Sequence, residues 1–408
     1  MESRHTMQEL YQYQALPLNK KIDMTIERIK GWVNRYGEDG VYISFSGGKD
    51  STVLLDIVRN RCGYKNIPAV FVDVPTQYPE LRLFAEKFDN VEVIKPKISF
   101  MQVCEKYGFP LISKEVSGCV QNARKYLTRI IETETFLQTD RQTDRRFRSA
   151  WAIADLLGIE RRKSKDGIYQ DLLMGNIPSE FYEDMPIRVQ QLFGKMKHKE
   201  NGIETNEYSK MYDKSRYRYF LKADFEISDM CCKVMKKQPV HQYGKRTGRF
   251  PMTGQMATES ILRASSWVKN GCNGFDLTNP ISNPLAFWTD QDVLTYIYEN
   301  NLEICSVYGD VVVDYAAMGQ VDGQMTLSDY GIFDKERPSL KCTGCQRTGC
   351  MLCGFGCHLE KPGEGRFERL KETHPKMYDL LDVVKNNGVT MREAIEWVNE
   401  HGNTNIRL

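Results

Sequence analysis

The chain has 408 residues, of which 41% are hydrophobic and 27% charged, and its 56 lysines and arginines nearly balance its 54 aspartates and glutamates. This length suits roughly two or three lobes with ample apolar material for a core. The formal charge of +2 neither demands nor excludes a nucleic-acid partner, because a local basic patch can act in a nearly neutral chain. An apolar run of about 20 residues and a signal-peptide pattern are both missing, so we expect a cytoplasmic protein with no membrane contact.

The first part of the chain predicts strands and helices in alternation. A short β-prone run, Val-Tyr-Ile-Ser-Phe, is followed by a glycine-rich turn and by apolar residues at helical spacing. The predicted order is strand Val41–Phe45, helix Ser51–Arg59, strand Ala69–Val72, helix Glu80–Phe88 and strand Val91–Ile94. Because such alternation is typical of parallel sheets with helices on both faces, we expect residues 37–115 to form an α/β core after an N-terminal helical segment, residues 1–36.

Residues 116–222 break this rhythm, and we expect them to form a helical insertion. It contains a basic run and then basic residues that alternate with tyrosines: Arg161, Arg162, Lys163 and Lys165, followed by Lys210, Tyr212, Lys214, Arg216, Tyr217, Arg218 and Tyr219. Cations mixed with aromatic rings suit phosphate contact and base stacking, although a solvated helix face can have the same composition. A nucleic acid is therefore a candidate partner.

The α/β pattern returns in residues 223–300, where Phe250–Thr253 is predicted as a strand and Ala257–Lys269 as a helix. Residues 301–408 are expected to form a C-terminal lobe with clustered cysteines and a helical tail, Phe367–Glu400. The predicted fold class is therefore α/β, a doubly wound parallel sheet with an inserted helical region and a C-terminal cysteine-rich helical lobe.

The turn between the first predicted strand and helix is Ser46–Ser51, Ser-Gly-Gly-Lys-Asp-Ser, here called the phosphate loop. Gly47 and Gly48 let backbone N–H groups converge on an anion, and the following helix adds its positive N-terminal dipole. Lys49 supplies positive charge, and the two serine hydroxyls can donate to phosphate oxygens. Asp50 can cap the helix or help to position a magnesium ion. The loop therefore predicts a binding site for nucleotide phosphates.

The phosphate loop resembles the pyrophosphate loop of the PP-loop ATP pyrophosphatase superfamily, whose adenine nucleotide alpha-hydrolase fold is Rossmann-like. The resemblance implies that the enzyme cleaves ATP between its α and β phosphates, transfers AMP and releases pyrophosphate. It implies that the residues binding ATP with Mg2+ are Ser46, Gly47, Gly48, Lys49, Asp50 and Ser51. Lys49 and Asp50 would also be catalytic, and Asp73, within Phe71–Val74, would lie near the adenosine.

The later cysteines are clustered more closely than packing requires. Cys231 and Cys232 are adjacent, and five more follow at Cys342, Cys345, Cys350, Cys353 and Cys357. Four thiolates can close a tetrahedral zinc site or hold a cubane iron–sulfur cluster. Spacing alone does not choose between the two.

The cysteine pair and the following residues up to Pro239 resemble a motif of the assimilatory sulfonucleotide reductases, also called the phosphoadenosine phosphosulfate reductase family. Gly349–Cys353 is similar to their later Cys-x-x-Cys motif. The resemblance implies a [4Fe-4S] cluster, with zinc as the alternative, and its implied ligands are Cys231, Cys232, Cys350 and Cys353. Cys345 is a rival ligand, because some thiolating PP-loop enzymes use only three cysteines, which here would be Cys345, Cys350 and Cys353.

The resemblance to the reductases runs from about residue 38 to residue 365. Thr253-Gly254-Gln255, with Glu259, Ser260 and Arg263, resembles their substrate-facing segment. Arg263 is therefore a candidate catalytic phosphate clamp, since a guanidinium binds phosphate bidentately. A helix-surface arginine is the ordinary alternative.

Two departures separate the chain from these reductases. They end in a mobile segment with a nucleophilic cysteine, whereas no cysteine follows Cys357 here, and their pyrophosphate loop tends to be degraded, whereas the phosphate loop here is intact. The combination resembles the sulfur-transfer branch, which includes the DNA-phosphorothioation proteins and their phage relatives. It implies an ATP-cleaving enzyme that transfers sulfur to a nucleic acid or another phosphate-bearing substrate.

Two other functions are compatible with parts of the sequence. One is reduction of phosphoadenosine phosphosulfate or adenylyl sulfate, and the other is a catalytically silent, nucleotide-sensing DNA-binding regulator. The expected partners are ATP or an adenylyl sulfate nucleotide, a nucleic acid, and a sulfur donor such as a cysteine desulfurase. Product analysis with each nucleotide separates the three functions.

Overall fold

The computed structural model describes residues 4–132, 185–200, 203–314 and 338–408. The chain divides into two compact units, the first made of Met1–Lys97 with Met235–Cys350 and the second of Ile98–Val234 with Met351–Leu408. The predicted boundaries of the core, the insertion and the C-terminal lobe stay predictions. The predicted basic run at residues 161–165 lies outside the described residues.

Strands and helices are numbered in chain order. The strands are β1 (Val41–Phe45), β2 (Ala69–Val72), β3 (Val91–Ile94), β4 (Leu111–Ile112), β5 (Lys197–Glu200), β6 (Ile203–Tyr208), β7 (Phe250–Thr253), β8 (Asn273–Gly274), β9 (Ile281–Ser282), β10 (Val311–Val313), β11 (Leu340–Cys342), β12 (Gly354–Phe355), β13 (Lys385–Asn386) and β14 (Val389–Thr390). The helices are α1 (Met7–Gln14), α2 (Leu18–Tyr36), α3 (Lys49–Asp56), α4 (Pro79–Ala85), α5 (Phe100–Tyr107), α6 (Lys114–Glu132), α7 (Ile187–Phe193), α8 (Met230–Cys232), α9 (Gln238–Thr247), α10 (Ile261–Asn270), α11 (Asp290–Glu299), α12 (Arg366–Thr373), α13 (Pro375–Tyr378) and α14 (Met391–Gly402).

The first unit is built on a six-stranded sheet in the order β3-β2-β1-β7-β9-β8. Neighbouring strands are parallel, except that β8 pairs antiparallel with β9. Within the sheet, Ile43 of β1 pairs with Ala69 of β2 on one side and with Met252 of β7 on the other. The four strands predicted in this unit form at the predicted residues. The α/β class and the parallel sheet are therefore confirmed.

Helices pack on both faces of this sheet. Successive side chains of a strand point to opposite faces, so the apolar residues of one strand contact helices on both sides. Tyr42 of β1 is buried against Val70 and against Tyr243 of α9. Phe45, three positions later, points to the other face and contacts Phe84 of α4. Apolar residues on both faces thus make the sheet doubly wound, as predicted.

A buried ion pair joins α2 to the start of α11. The Lys21 ammonium donates to the Asp292 carboxylate at 2.6 Å and to the Gln14 carbonyl at 2.6 Å, and Lys21 is only 1% exposed. The same carboxylate accepts hydrogen bonds from the backbone and hydroxyl of Thr289, the N-cap of α11. These contacts fix the first turn of α11, which also carries Asp290.

The second unit contains the parallel pair β4–β12 and the antiparallel hairpins β5–β6 and β13–β14. The described part of the predicted helical insertion therefore includes a hairpin as well as helices. Arg124 of α6 joins this part to the residues that follow it by donating to the carbonyls of Phe225 at 2.9 Å and Ala223 at 2.7 Å. In the part of the chain that the structure describes, no helix is both long and apolar enough to cross a membrane.

The C-terminal tail, predicted as helical over Phe367–Glu400, is helical at both ends and is interrupted by a hairpin. After α12 and α13, Asn387 (φ +51°) and Gly388 (φ +86°) form the turn of the β13–β14 hairpin. Asn386 is buried, and its side-chain amide donates to the Cys104 carbonyl at 2.8 Å. Asn-Gly is a favoured pair in two-residue hairpin turns, and it interrupts the helical periodicity here.

Candidate functional site

The phosphate loop connects β1 to α3, and its serines bond to one another. Ser51 Oγ lies 3.0 Å from Ser46 Oγ and donates to the Gly48 carbonyl at 2.9 Å. The Ser46 N–H donates to Ser51 Oγ at 3.2 Å, and the Gly48 N–H donates to Ser46 Oγ at 3.3 Å. The two hydroxyls therefore hold the loop backbone in its turn before any phosphate arrives.

Two glycines permit close approaches at the loop. Gly47 has φ +72°, and a Cβ there would lie 3.1 Å from the Leu81 carbonyl oxygen. Gly254 follows β7 and packs directly on the loop backbone, because a Cβ there would lie 2.9 Å from the Asp50 carbonyl oxygen. Thr253-Gly254-Gln255, the segment that resembles the reductases, thus lies against the phosphate loop.

The Lys49 ammonium is buried between two carboxylates. Its Nζ lies 2.8 Å from Asp50 Oδ1 and 3.1 Å from Asp290 Oδ1. Burial alone would lower the pKa of Lys49, but Asp50 and Asp290 together outweigh it and raise the pKa above its ordinary value. Lys49 is therefore a cation at neutral pH, and the two carboxylates balance its charge.

Asp290 and Arg347 are further members of this charge network that no sequence motif predicts. Arg347 Nη2 lies 3.2 Å from Asp290 Oδ2. Burial opposes ionisation of Asp290, but Lys49 and then Arg347 outweigh it and lower its pKa. The two residues lie far from the phosphate loop in sequence, so only the fold brings them to Lys49.

Two hydroxyls lie over the phosphate loop, and these too were not predicted. The Lys49 backbone N–H donates to the Tyr308 hydroxyl at 3.2 Å, and that hydroxyl lies 2.8 Å from Thr348 Oγ1. A Cβ at Gly48 would meet the same two oxygens at 3.1 and 3.4 Å. Burial raises the pKa of Tyr308 to about 12, so the hydroxyl is protonated at neutral pH and can donate a hydrogen bond.

Arg263 lies in the first turn of α10 and forms an ion pair with Glu259. Burial and then the positive charge of Arg347 lower the pKa of Arg263, while Asp50 opposes the shift. The fold therefore brings Arg263 into electrostatic reach of the phosphate loop. Its role as a phosphate clamp stays a prediction.

Asp73 follows β2 but forms its ion pairs away from the phosphate loop. Its Oδ2 lies 2.8 Å from Arg82 Nη1 and 3.7 Å from Lys95 Nζ. In the same connection Thr76 is 3% exposed, and its Oγ1 has no hydrogen-bond partner among the described residues. A buried hydroxyl of this kind is expected to have a partner, so Thr76 is a further candidate for contact with a bound nucleoside. The place of Asp73 near the adenosine stays a prediction.

Residues Cys342–Cys350, here called the cysteine segment, also lie beside the phosphate loop. Burial raises the pKa of Cys342, and Lys49 lowers it in part, so the two side chains interact electrostatically. Cys345 Sγ lies 3.8 Å from the Tyr78 hydroxyl, and Cys350 forms a backbone bridge with Gln77. The segment therefore contacts the connection between β2 and α4.

The other predicted cluster ligands belong to the second unit. Cys231 and Cys232 lie in α8, and Cys353 directly precedes β12. Burial strongly raises the pKa of Cys357, so it is a thiol rather than a thiolate. Among the described residues, no group of three or more histidine, cysteine, aspartate or glutamate side chains is placed to hold a metal ion. None of the twelve cysteines forms a disulfide.

The segment that alternates cations with tyrosines is only partly accessible in the second unit. Tyr212 is 39% exposed, but Tyr217 is 5% exposed and has the Arg216 guanidinium 4.6 Å from its ring centroid. Tyr219 contacts Trp397 of α14 at a ring-centroid distance of 5.7 Å. Tyr217 is therefore not available for base stacking, whereas Tyr212 is.

A comparison with family models identifies what most of the chain is similar to. The model of the phosphoadenosine phosphosulfate reductase domain matches residues 40–143 and 178–354. Among curated proteins, none matches the chain. The matched residues include the phosphate loop, Arg263 and Cys353, so the match spans the candidate nucleotide site.

Proposed function

This chain belongs to the phosphoadenosine phosphosulfate reductase domain family, and from that premise we propose that it cleaves ATP to AMP and pyrophosphate. We propose further that it supports iron–sulfur-dependent sulfur transfer to a nucleic acid or another phosphate-bearing substrate. The family match makes it a member of a nucleotide-binding enzyme family of the PP-loop type. The choice of ATP and the transfer of sulfur are the finer parts of the proposal.

The single observation that carries the proposal is the intact phosphate loop with a buried, charged Lys49. The phosphate loop leads into the N-terminus of α3, and Asp50 and Asp290 keep the Lys49 ammonium protonated. This arrangement suits a polyphosphate, because amides and an ammonium stabilise the charge that develops on phosphate oxygens.

Each of the three predicted catalytic residues then has a role in displacement at the α-phosphorus. Lys49 would stabilise negative charge on the departing pyrophosphate, and Arg263 would bind a phosphate oxygen from the neighbouring helix. Asp50 is a carboxylate at the start of α3 and fits the preference of Mg2+ for oxygen ligands. The magnesium ion, when bound, would offset the charge of the polyphosphate. The chain's own contribution is positioning and electrostatic stabilisation.

The iron–sulfur part of the proposal depends on sequence motifs and on the family. Cys231, Cys232, Cys350 and Cys353 are the proposed ligands, with Cys345 as the rival and zinc as the alternative metal. The chemistry of the set fits, since thiolates hold both iron–sulfur clusters and zinc. A cluster would supply electron transfer or hold sulfur, and the donor would be a protein such as a cysteine desulfurase.

The test is product analysis with two nucleotides. The protein is incubated with Mg2+ and either ATP or an adenylyl sulfate, and pyrophosphate and sulfite are measured. We expect pyrophosphate from ATP, with a loss of at least about 100-fold in Lys49→Ala and Asp50→Ala, because the charge they supply acts on the transition state. Lys20→Ala, at an exposed lysine of α2, is the matched control and should retain the activity.

Three results would contradict the proposal. Sulfite formation from adenylyl sulfate without pyrophosphate from ATP would favour the reductase, which is the activity in the name of the family. Tight ATP binding with no product would favour the nucleotide-sensing regulator. Pyrophosphate release that is unchanged in both loop variants would remove the phosphate loop from the reaction.

A further inference from the structure

The cysteine segment is linked by hydrogen bonds to the backbone N–H and to the ammonium of Lys49. From the Lys49 backbone N–H, one chain of hydrogen bonds runs through the Tyr308 hydroxyl at 3.2 Å to Thr348 at 2.8 Å. From the Lys49 ammonium, a second chain runs through Asp290 at 3.1 Å to Arg347 at 3.2 Å. The two chains thus end on adjacent residues of the cysteine segment.

The backbone of Tyr308 is also fixed to the cysteine segment. The Gly344 N–H donates to the Tyr308 carbonyl at 2.8 Å, and the Cys345 N–H donates to the Val307 carbonyl at 3.0 Å. The backbones are so close that a Cβ at Gly344 would lie 2.6 Å from the Val307 oxygen. A displacement of Tyr308 would therefore carry Gly344 and Cys345 with it.

A phosphate at the loop would compete for the same donors. The Lys49 N–H points to the Tyr308 hydroxyl, at the start of α3 where an anion would accept that hydrogen bond. Arg347 has 60% of its side chain exposed, and its guanidinium can leave a single-sided contact with Asp290 for a bidentate contact with phosphate. Both chains would thus rearrange when a polyphosphate binds.

We propose that Arg347 and Thr348 are substrate-positioning residues that contact the polyphosphate, so that nucleotide binding fixes the conformation of the cysteine segment. This inference rests on the proposed function and deepens it, because it assigns the second wall of the nucleotide site. It couples phosphate binding directly to the backbone that carries Cys345 and Cys350. The coupling acts through the phosphate contacts of Arg347 and Thr348, which replace their contacts with Asp290 and the Tyr308 hydroxyl.

The first experiment measures the affinity for Mg2+-ATP and for Mg2+-pyrophosphate by calorimetry. Arg347→Ala should bind both roughly 10-fold more weakly, because one charge-assisted contact to phosphate is lost. Arg347→Lys should recover part of the affinity, since it keeps the charge without the planar fork. Arg35→Ala removes an exposed arginine of α2 and is the matched control, with unchanged affinity expected. Thermal unfolding of each variant reports whether it is folded.

The second experiment measures amide hydrogen exchange of the cysteine segment with and without saturating ATP. In the unaltered protein, ATP should slow exchange at Gly344 and Cys345 several-fold, because their donors are held more firmly. In the double variant Arg347→Ala/Thr348→Val the slowing should disappear at saturating ATP, since both links are removed.

The outcomes separate this inference from the proposed function. A protein that binds ATP equally well with and without Arg347 overturns the inference and leaves the proposed function standing. Exchange in the cysteine segment that does not respond to ATP overturns the coupling. An unaltered protein that binds neither ATP nor pyrophosphate overturns the proposed function together with the inference.

Discussion

The surroundings of Lys49 explain why its loop has an aspartate directly after the lysine. Lys49 is 4% exposed, and without a partner its ammonium would lose most of its hydration, which is costly in a protein interior. Asp50 and Asp290 offset this cost from two sides. Because phosphate oxygens can take the place of these carboxylates, the pair keeps Lys49 charged until a nucleotide arrives.

Gly254→Ala should weaken nucleotide binding at least about tenfold. The added Cβ would lie 2.9 Å from the Asp50 carbonyl oxygen, so the loop backbone must shift. Even a small displacement of a group that binds the nucleotide lowers the affinity. Overpacking of this kind also costs about 1–3 kcal/mol of unfolding free energy. Calorimetric titration with Mg2+-ATP and urea unfolding measure the two effects.

The matched control for this substitution is Gly31→Ala. Gly31 lies inside α2, where the nearest atom to an added Cβ is 3.8 Å away. Alanine should leave nucleotide affinity unchanged and raise the free energy of unfolding by about 0.5–1 kcal/mol through helix propensity. Equal losses of affinity in the two variants would contradict the close approach inferred for Gly254.

Tyr308 should make stability depend on pH only above pH 10. Burial raises its pKa from 10.0 to about 12, so its contribution is complete below pH 10 and is lost as the pH rises toward 12. At pH 11 the loss is about 1 kcal/mol of unfolding free energy. Urea unfolding at pH 9 and pH 11 should show a smaller loss in Tyr308→Phe than in the unaltered protein. An equal loss in both would contradict the raised pKa.

Among the elements, α11 connects the N-terminal helices to the candidate site. In its capping box, the Asp292 carboxylate accepts hydrogen bonds from Thr289. The same carboxylate forms an ion pair with Lys21 of α2. Asp290, two residues before Asp292 in the same first turn, forms an ion pair with Lys49. The sequence predicts an N-terminal helical segment over residues 1–36, but the pairing of Lys21 with Asp292 depends on the tertiary fold.

Lys21→Met should destabilise the protein by about 3–5 kcal/mol, because it leaves the Asp292 carboxylate buried without its cation. The double variant Lys21→Met/Asp292→Asn should recover part of this loss, since no net charge then stays buried. A double-mutant cycle by urea unfolding measures the coupling. A single variant that loses less than about 1 kcal/mol would show that the pair is solvated in solution.

At the scale of the whole molecule, periodicity and turn residues suffice for β1, β2, β3 and β7, because these strands are short, β-prone runs rich in apolar residues. The phosphate loop is predictable for the same reason, since its glycines and charges are contiguous in sequence. Tyr308, Thr348 and Arg347 carry no local signal, and only long-range contacts bring them to Lys49. The interruption of the tail at Asn387-Gly388 has a local signal, which competed with a strong helical pattern.

Metal content tests the cysteine prediction on the complete chain. Protein purified without oxygen should contain about four iron and four sulfide per chain, and Cys350→Ser should lower the iron content. Cys62→Ser is the control and should leave it unchanged, because Cys62 stands apart from the clustered cysteines in sequence. Iron analysis and visible absorption measure both. A colourless protein with one zinc per chain would favour the zinc alternative instead.

The pairing of β1 with β7 has a consequence for biosynthesis. Ile43 and Met252 are neighbours in the sheet, yet the ribosome must add about half the chain between them. All residues of the phosphate loop are therefore synthesised long before Gly254, which packs against the loop backbone. Contacts between residues so distant in sequence form late in folding. A nascent chain that stops before β7 would contain every residue of the motif and still be unable to hold a nucleotide.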